Sequence, residues 1–240
     1  MEVISRLPSL LLFLATAALL AISGLKRKPG LGVIGALMLA LAALWIRGEG
    51  VTAYGFRPPQ SWATTLFYGL ILGLGVQVLS VAVIEPFSER LTKKSHDHSL
   101  VEGVRGSWRT LLQWLIAVWL LVAVLEEGIY RGFLMTEFAR LAGLGSVAIT
   151  INLLLTSIVF GLSHGYQGRS GIVSTGIIGF ILGTIFVLSS FNIWLAIATH
   201  GFIDTIGLAL IAVGADQAIR QRIWGRRSPG PDPDEPGSAG

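Results

Sequence analysis

The chain has 240 residues, of which 52% are hydrophobic and only 13% are charged. A soluble domain carries about 25% charged residues, so this composition excludes an ordinary water-soluble globular protein. The formal net charge of +4 does not indicate a nucleic-acid partner, because the basic residues flank apolar segments. The chain has no cysteine, which excludes disulfides, thiolate metal sites, cysteine nucleophiles and lipidation on cysteine.

Seven apolar segments cross or nearly cross a lipid bilayer, for which a helix needs roughly 20 residues. In chain order they are Leu7–Leu25, Leu31–Ile46, Ala63–Ile84, Leu111–Leu125, Ser146–Leu162, Gly171–Phe191 and Ile193–Val213. A further stretch, Ile129–Leu144, is interpreted as an eighth span, as a half-inserted helix or, in our preferred interpretation, as a continuation of the fourth helix. The sequence therefore predicts an all-α, polytopic transmembrane bundle with seven or eight spans.

The polar regions define the predicted organisation of the chain. Residues 1–107 contain N-terminal transmembrane helices and a polar loop, residues 108–213 form a helical core, and residues 214–240 form a basic and then disordered tail. With seven spans the basic residues concentrate on one side, so the tail is expected to be cytoplasmic. The run His96-Asp97-His98 in the polar loop is interpreted as solvated rather than as a metal site.

Glycine pairs with GxxxG spacing occur twice in the apolar segments. They are Gly69 with Gly73 and Gly179 with Gly183. In an apolar helix this spacing allows another helix backbone to approach closely. We expect these pairs to serve internal packing or dimerisation.

Six ionisable residues lie within the apolar segments or at their ends. They are Glu126, Glu127, Arg131, His164, His200 and Asp204. Such a side chain at the centre of a membrane helix costs roughly 2.5–3.5 kcal/mol on insertion scales, so these residues usually pair, face a cavity and serve a function. We therefore expect the six to converge, either as a functional site or as a salt-bridge network that only fixes helix packing.

The spacing within the two acidic segments predicts their pairing. Glu127 and Arg131 are four residues apart, on one helical face, in the favourable order for an ion pair. Glu126 lies about 100° around the helix, so Arg131 cannot serve both carboxylates, and one is predicted to face a pocket as a general base. His200 and Asp204 repeat the spacing, so Asp204 is expected either to orient His200 or to point separately into the same cavity.

Three short motifs resemble those of one family. The stretch Glu126–Arg131 resembles the EExxxR motif of the CPBP superfamily, which groups CAAX prenyl endopeptidases of the Rce1 type with bacterial Abi proteins. Phe160–His164 resembles its FxxxH motif, and His200–Asp204 resembles its HxxxN/D motif. The motifs occur in the family's order in successive apolar spans, and residues 108–213 would be the catalytic core.

The resemblance implies a metal-independent intramembrane glutamate endopeptidase without a cofactor. It implies that Glu126 activates water, that Glu127 and Arg131 support it, and that His164 contacts the water or the scissile carbonyl. His200 and Asp204 would line the oxyanion side. The implied substrate is a membrane-associated peptide or protein, and the implied location is a bacterial cell membrane.

Two further features of the motifs bear on this interpretation. Phe160 is implied as a supporting residue because it opens the FxxxH motif. Prenyl endopeptidases have Asn where this chain has Asp204, and an ionised aspartate cannot donate a hydrogen bond to an oxyanion. This departure favours a bacterial-type homologue over an enzyme that processes prenylated proteins.

Four other interpretations remain open from the sequence. Gly161–Gly165 fits the GxSxG pattern, which would make Ser163 and His200 a serine-protease dyad. Zinc bound by Glu126, Glu127, His164 and His200 would give a metallopeptidase. In the third interpretation, the ionisable residues line the cavity of a non-catalytic scaffold or immunity-type protein that binds peptides. In the fourth, they line the cavity of a proton-coupled carrier.

Overall fold

The computed structural model describes residues 2–225, so the predicted disordered tail from Ser228 to Gly240 lies outside the described residues. Within them there are helices and no strand. The helices are α1 (Glu2–Leu25), α2 (Pro29–Arg47), α3 (Trp62–Thr92), α4 (Trp108–Ala142), α5 (Ser146–Ser163), α6 (Gly168–Leu188), α7 (Ile193–Ala212) and α8 (Ala215–Trp224).

In this part of the chain, α1 to α7 provide seven helices long and apolar enough to cross a membrane. Their outward faces expose large apolar side chains, which suits a lipid environment. Examples are Leu41, Trp45, Ile71, Leu112 and Leu120. The chain is therefore an integral, multi-pass membrane protein, and the predicted all-α transmembrane bundle is confirmed.

The stretch Ile129–Leu144 does not form an eighth span, because residues up to Ala142 belong to α4. This helix has 35 residues, which at about 1.5 Å per residue gives roughly 50 Å. Two π-helical turns interrupt it, Val118–Val122 and Gly128–Leu134. The expected continuation of the helix past Arg131 is confirmed, and Glu126 lies near its middle.

Side chains at several N-termini fix where the spans begin. Ser61 accepts a hydrogen bond from the backbone of Thr64, and Ser107 accepts one from Thr110. Asn192 caps α7 by accepting from the backbone N–H of Trp194 at 3.1 Å. These caps satisfy amide groups that the helix itself leaves unpaired.

Glycines bring α3 close to α7 and α6 close to α5. A Cβ atom on Gly69 would lie 2.5 Å from the Cβ of Ala198, and one on Gly73 would lie 2.6 Å from the Cβ of Phe202. In α6, Gly179 packs on Phe160 of α5. The GxxxG pairs therefore serve contacts within the molecule.

An ion pair fixes the C-terminal end of α4 to α2. Both carboxylate oxygens of the fully buried Glu137 accept hydrogen bonds from Arg47, the Oε2 bond being 2.8 Å long. Arg47 also donates to Ser9 of α1 at 3.2 Å, and Arg140 lies 3.7 Å from Glu137. We call this group the Arg47–Glu137 clamp.

The segment of residues 93–107, which we call the roof segment, connects α3 to α4. It contains the 3₁₀ turn Ser99–Val104. The backbone N–H of Asp97 donates to Gln167 at 3.1 Å, and the Asp97 carboxylate forms a 2.7 Å ion pair with Arg27. These contacts join the connections α1–α2, α3–α4 and α5–α6 on one side of the bundle.

The charges of the roof segment are matched to their partners. Burial acts to raise the pKa of Asp97, but hydrogen bonds from Ser99 and the pairing with Arg27 outweigh it, so the pKa lies below its usual value. At the end of the segment, Arg105 bonds Asp216 and Glu102, which raise its pKa. Ion pairs therefore fix the segment at Asp97 and again at Arg105.

Candidate active site

Three helices bring all the predicted site residues together beneath the roof segment. The middle of α4 provides Glu126, Glu127 and Arg131, the end of α5 provides Phe160 and His164, and α7 provides His200 and Asp204. Each of these side chains lies within reach of at least one other member of the set.

Glu127 is the fully buried anchor of the site. Its Oε1 atom accepts a 2.8 Å hydrogen bond from Nη1 of Arg131. Arg131 also donates to the backbone carbonyl of Gly179 at 2.9 Å, and its guanidinium lies 4.6 Å from the ring centre of Phe160. The paired charge, the hydrogen bond and the cation–π contact compensate for burying this arginine in an apolar bundle.

His200 is oriented by Glu127. Its Nδ1 atom lies 2.7 Å from Oε1 of Glu127, the same oxygen that Arg131 contacts. A carboxylate oxygen accepts, so Nδ1 carries a hydrogen and Nε2 points the other way. That Nε2 atom lies 3.9 Å from Glu126 and 3.5 Å from Asp204.

This geometry corrects one of the two predicted roles of Asp204. Asp204 does not hold His200 from behind, because Nδ1 is occupied by Glu127 and Asp204 lies on the Nε2 side. The four-residue spacing along α7 places the two side chains near each other, but the stronger partner comes from α4. Asp204 therefore points separately into the cavity, as the other prediction stated, and its side chain is 30% exposed.

Glu126 is the carboxylate without a permanent partner. Its Oε2 atom is buried and makes no hydrogen bond to the described residues. It lies 3.7 Å from Nε2 of His164 and 3.9 Å from Nε2 of His200. These distances exceed a direct hydrogen bond but suit contact through one shared water molecule.

His164 is held in one orientation by its own helix. Its Nδ1 atom lies 2.8 Å from the carbonyl oxygen of Phe160. A carbonyl only accepts, so Nδ1–H donates and Nε2 faces Glu126. The Phe160 ring packs against His164 at 4.5 Å and edge-on against Tyr130 at 4.8 Å, so Phe160 supports the histidine and the arginine together.

Ser163 does not form the dyad that the GxSxG pattern allows. Its hydroxyl donates to the backbone carbonyl of Phe160 at 2.7 Å and lies 3.2 Å from Nδ1 of His164. No hydrogen bond joins it to His200 among the described residues. The pattern here ends a membrane helix instead of forming the strand-to-helix turn that the nucleophile requires.

The site opens into a cavity of about 230 Å³ between α4, α6, α7 and the roof segment. Its walls are mainly apolar around a polar floor. The apolar lining includes Trp114, Val118, Val122, Ile178, Ile203, Leu208 and Ile211. Such a combination is typical of a pocket that binds a largely apolar ligand and orients it with few polar groups.

Several cavity residues were not predicted from the sequence. The roof segment lines the cavity with His96, Asp97 and His98, a position that its interpretation as a solvated loop does not predict. His96 lies 3.2 Å from the Ser174 hydroxyl and stacks on His98 with the ring centres 4.4 Å apart. The polar composition of the segment does not predict these contacts, because their partners lie on helices distant in the sequence.

A second group of unpredicted cavity residues comes from two other places. Tyr166 and Gln167 follow the FxxxH motif, and adjacency to it was the available signal. Gln77 comes from α3, far from any motif. Among residues 2–225, no group of three or more histidine, aspartate or glutamate side chains is arranged to hold a metal ion.

The comparison with protein families agrees with the motifs. Residues 108–206 match the model of the type II CAAX prenyl endopeptidase Rce1-like family. Over these residues the chain is similar to that family. The match spans α4, α5, α6 and the first part of α7, and thereby contains every predicted site residue. The comparisons found no match among curated proteins or solved structures.

The Rce1-like match confirms the family predicted from the three motifs. It supports a CAAX-type intramembrane endopeptidase in general, with a peptide or protein substrate and a lipid environment. The helices α1 to α3 lie outside the matched segment, although α1 contributes to the core and α3 to the cavity wall.

Proposed function

We propose that this protein is an intramembrane endopeptidase in which Glu126 activates water to hydrolyse a peptide bond of a membrane-associated peptide or protein. One observation carries the proposal. The Oε2 atom of Glu126 is buried, has no hydrogen-bond partner among the described residues and faces two histidine Nε2 atoms at 3.7 and 3.9 Å.

The two neighbouring glutamates have different environments, and this difference supports different proposed roles for them. Glu127 already accepts from Arg131 and His200, so its charge is committed to structure. Glu126 has no comparable partner and is therefore the carboxylate able to accept a proton. A general base must reach the proton it removes directly or through one water molecule, and Glu126 meets this condition for water held near His164.

In the proposed reaction, Glu126 takes a proton from water and the resulting hydroxide attacks the peptide carbonyl carbon. A carbon–oxygen bond forms, and the carbonyl oxygen becomes an oxyanion. We take His200 to be the imidazolium, with Nδ1–H bonded to Glu127, so that its Nε2–H can donate to that oxyanion. Collapse breaks the carbon–nitrogen bond, and the leaving amine receives the proton from Glu126.

Asp204 lies beside the reacting groups but has no part in the proposed steps. An ionised carboxylate next to a developing oxyanion is repulsive, so Asp204 is better placed to accept a hydrogen bond from substrate. We propose further that no metal ion takes part, that the membrane is bacterial and that the side of the roof segment, together with the C-terminal tail, is cytoplasmic.

The decisive experiment replaces Glu126 by Gln, which keeps the shape but removes the basicity. Purified protein in detergent is given membrane-associated peptides, and the products are followed by mass spectrometry. We expect Glu126→Gln to unfold at the parent temperature and to lose at least the 10²–10⁴-fold that a general base contributes. Ser163→Ala serves as the control and should cleave nearly as well as the parent.

Each other result has a defined meaning. Cleavage that survives Glu126→Gln or disappears with Ser163→Ala overturns the assignment. Activity that is lost with a chelator and restored by zinc makes the same residues metal ligands. Peptide binding without cleavage in the parent indicates a scaffold, and a dependence on a proton gradient indicates a carrier.

A further inference from the structure

Gln77 is a polar side chain that the site described above does not use. It lies within α3, in an otherwise apolar stretch, and is only 8% exposed. It lines the same cavity as Glu126, His164 and His200. None of the hydrogen bonds among the described residues involves its side-chain amide.

This arrangement is unusual for a glutamine in a membrane helix. Such side chains normally hydrogen-bond across a helix interface, because a buried amide without a partner is costly. A position for that bond exists, since α3 packs closely along α7 through Gly69 and Gly73. Gln77 instead lines the cavity with its amide beside Gly207, where a ligand would satisfy it.

The neighbour of Gln77 on α7 places it about one helical turn from Asp204. A Cβ atom on Gly207 would lie 3.2 Å from Nε2 of Gln77, so glycine at this position makes room for the amide. Gly207 follows Asp204 by three residues, which puts both on one face of α7. The cavity is also lined by both of these residues.

We propose that Gln77 binds the backbone of the substrate peptide, with Nε2–H donating to a peptide carbonyl and Oε1 accepting a peptide N–H. The inference rests on the proposed function, because it takes the cavity ligand to be a peptide. A carboxamide carries the same donor and acceptor as a peptide bond, and it has no charge that would select a charged side chain. The recognised group is therefore an extended backbone beside Asp204, independent of its sequence.

The test measures binding separately from cleavage. The probe is a fluorescent apolar peptide without a prenyl group, taken from the membrane-associated peptides of the cleavage assay, and its affinity for the Glu126→Gln protein is measured by fluorescence anisotropy. A second set of probes carries single ester groups in place of backbone amides around the intended scissile bond. Each ester removes one N–H donor and weakens its carbonyl oxygen as an acceptor, so the series tests both hydrogen bonds that the proposal gives to Gln77.

Three variants are compared in the Glu126→Gln background. Gln77→Leu removes the amide and should weaken binding by about 10-fold, the loss of two neutral hydrogen bonds. Gln113→Leu is the matched control, because Gln113 is an exposed glutamine of α4 that does not line the cavity. Gly207→Ala displaces the Gln77 amide without removing it, so a smaller loss of the same sign is expected.

The ester probes distinguish a direct contact from a general effect on packing. One ester position should weaken binding to the parent background several-fold and leave binding to Gln77→Leu unchanged. Equal binding by Gln77→Leu and Gln113→Leu overturns the proposal, and so does an absence of binding by both. Ester effects that persist in Gln77→Leu also overturn it.

The same data separate this inference from the proposed function. Weaker binding by Gln77→Leu, together with no cleavage by the wild type, keeps the backbone contact and rejects the peptidase. Cleavage by the wild type, together with unchanged binding by Gln77→Leu, keeps the peptidase and rejects the contact. If Gln77→Leu does not fold, Gly207→Ala supplies the result on its own.

Discussion

Two buried glutamates of α4, Glu127 and Glu137, each pair with an arginine, and the two pairs differ in how completely their charges are satisfied. In the Arg47–Glu137 clamp, both oxygens of the glutamate accept from the arginine. In the other pair, Arg131 and His200 share Oε1 of Glu127, and Oε2 is buried without a hydrogen bond to the described residues. The clamp lies at the end of the helix, and the incomplete pair lies at its middle beside the cavity.

The difference indicates what each pair does. A fully satisfied buried pair fixes the packing of two helices and leaves nothing to react. An incompletely satisfied pair costs stability, and it is retained here next to Glu126, which is also unsatisfied. Glu127 and Glu137 are both 0% exposed, so burial alone does not distinguish a structural pair from a pair in the site.

The largest expected effect comes from breaking each pair at its arginine. Arg131→Ala leaves Glu127 as an uncompensated buried charge, which should cost about 3–5 kcal/mol and abolish activity. Arg47→Ala should cost less, because Arg140 remains 3.7 Å from Glu137. Thermal unfolding in detergent and activity per folded molecule are measured together. An unchanged unfolding temperature for Arg131→Ala would show that the pairing argument is wrong.

Replacing both partners by apolar residues sharpens the comparison. The double variant Glu127→Leu, Arg131→Met should regain most of the stability that Arg131→Ala loses, but no activity. The matched variant Glu137→Leu, Arg47→Met should keep both stability and activity per folded molecule. Activity in the first double variant would remove Glu127 and Arg131 from the site.

A smaller contrast separates the two cavity residues of α7. His200→Ala removes a group proposed to face the oxyanion and should reduce the rate by about 10²–10³-fold. Asp204→Asn should change it by less than about 10-fold, because Glu127 and not Asp204 orients His200. Initial rates of peptide cleavage give both values. A loss for Asp204→Asn as large as that for His200→Ala would contradict these roles.

The smallest effect concerns the exposed pair of Arg27 and Asp97. The pKa of Asp97 lies below its usual value, so the stabilisation is present at neutral pH and is lost as the pH falls through that lowered pKa. The protection factor of the Asp97 amide, which corrects hydrogen exchange for its intrinsic dependence on pH, should fall a few-fold in acid, because exposed pairs contribute little. Asp97→Asn should show this lower protection factor already at neutral pH, and a pH-independent protection factor in the parent would rule the contact out.

The convergence of the charged residues was predictable because the bilayer makes them costly. Glu126, Glu127, Arg131, His164 and His200 stand out in an apolar sequence, and the structure brings them together. The roles assigned to them, the division of the chain into three regions and the orientation in the membrane stay predictions. The continuous α4 was also predictable, because a break before Arg131 would have kept Glu126 away from His164.

The remaining features depend on contacts that spacing does not reveal. The spacing of His200 and Asp204 predicts a local pair, whereas the partner that orients His200 comes from α4. Gln77 is uncharged, so it does not stand out in an apolar segment. The roof segment looks like an ordinary polar loop, since its polar composition does not show that Gln167, Ser174 and Arg27 fix it over the cavity.

The two π turns of α4 have a consequence for insertions and deletions. A π turn holds one residue more than an α-helical turn. Deleting one residue of a π turn can therefore convert it to α-helix without rotating the chain beyond it. A deletion that no π turn absorbs rotates that chain by about 100°. Val118–Val122 and Gly128–Leu134 bracket the short α-helical piece Ala123–Glu127. We therefore expect deletion of the exposed Leu121 to convert its π turn to α-helix and to leave both glutamates aimed as before. A deletion inside Ala123–Glu127 removes a residue of regular α-helix, and it should rotate the two glutamates away from the histidines.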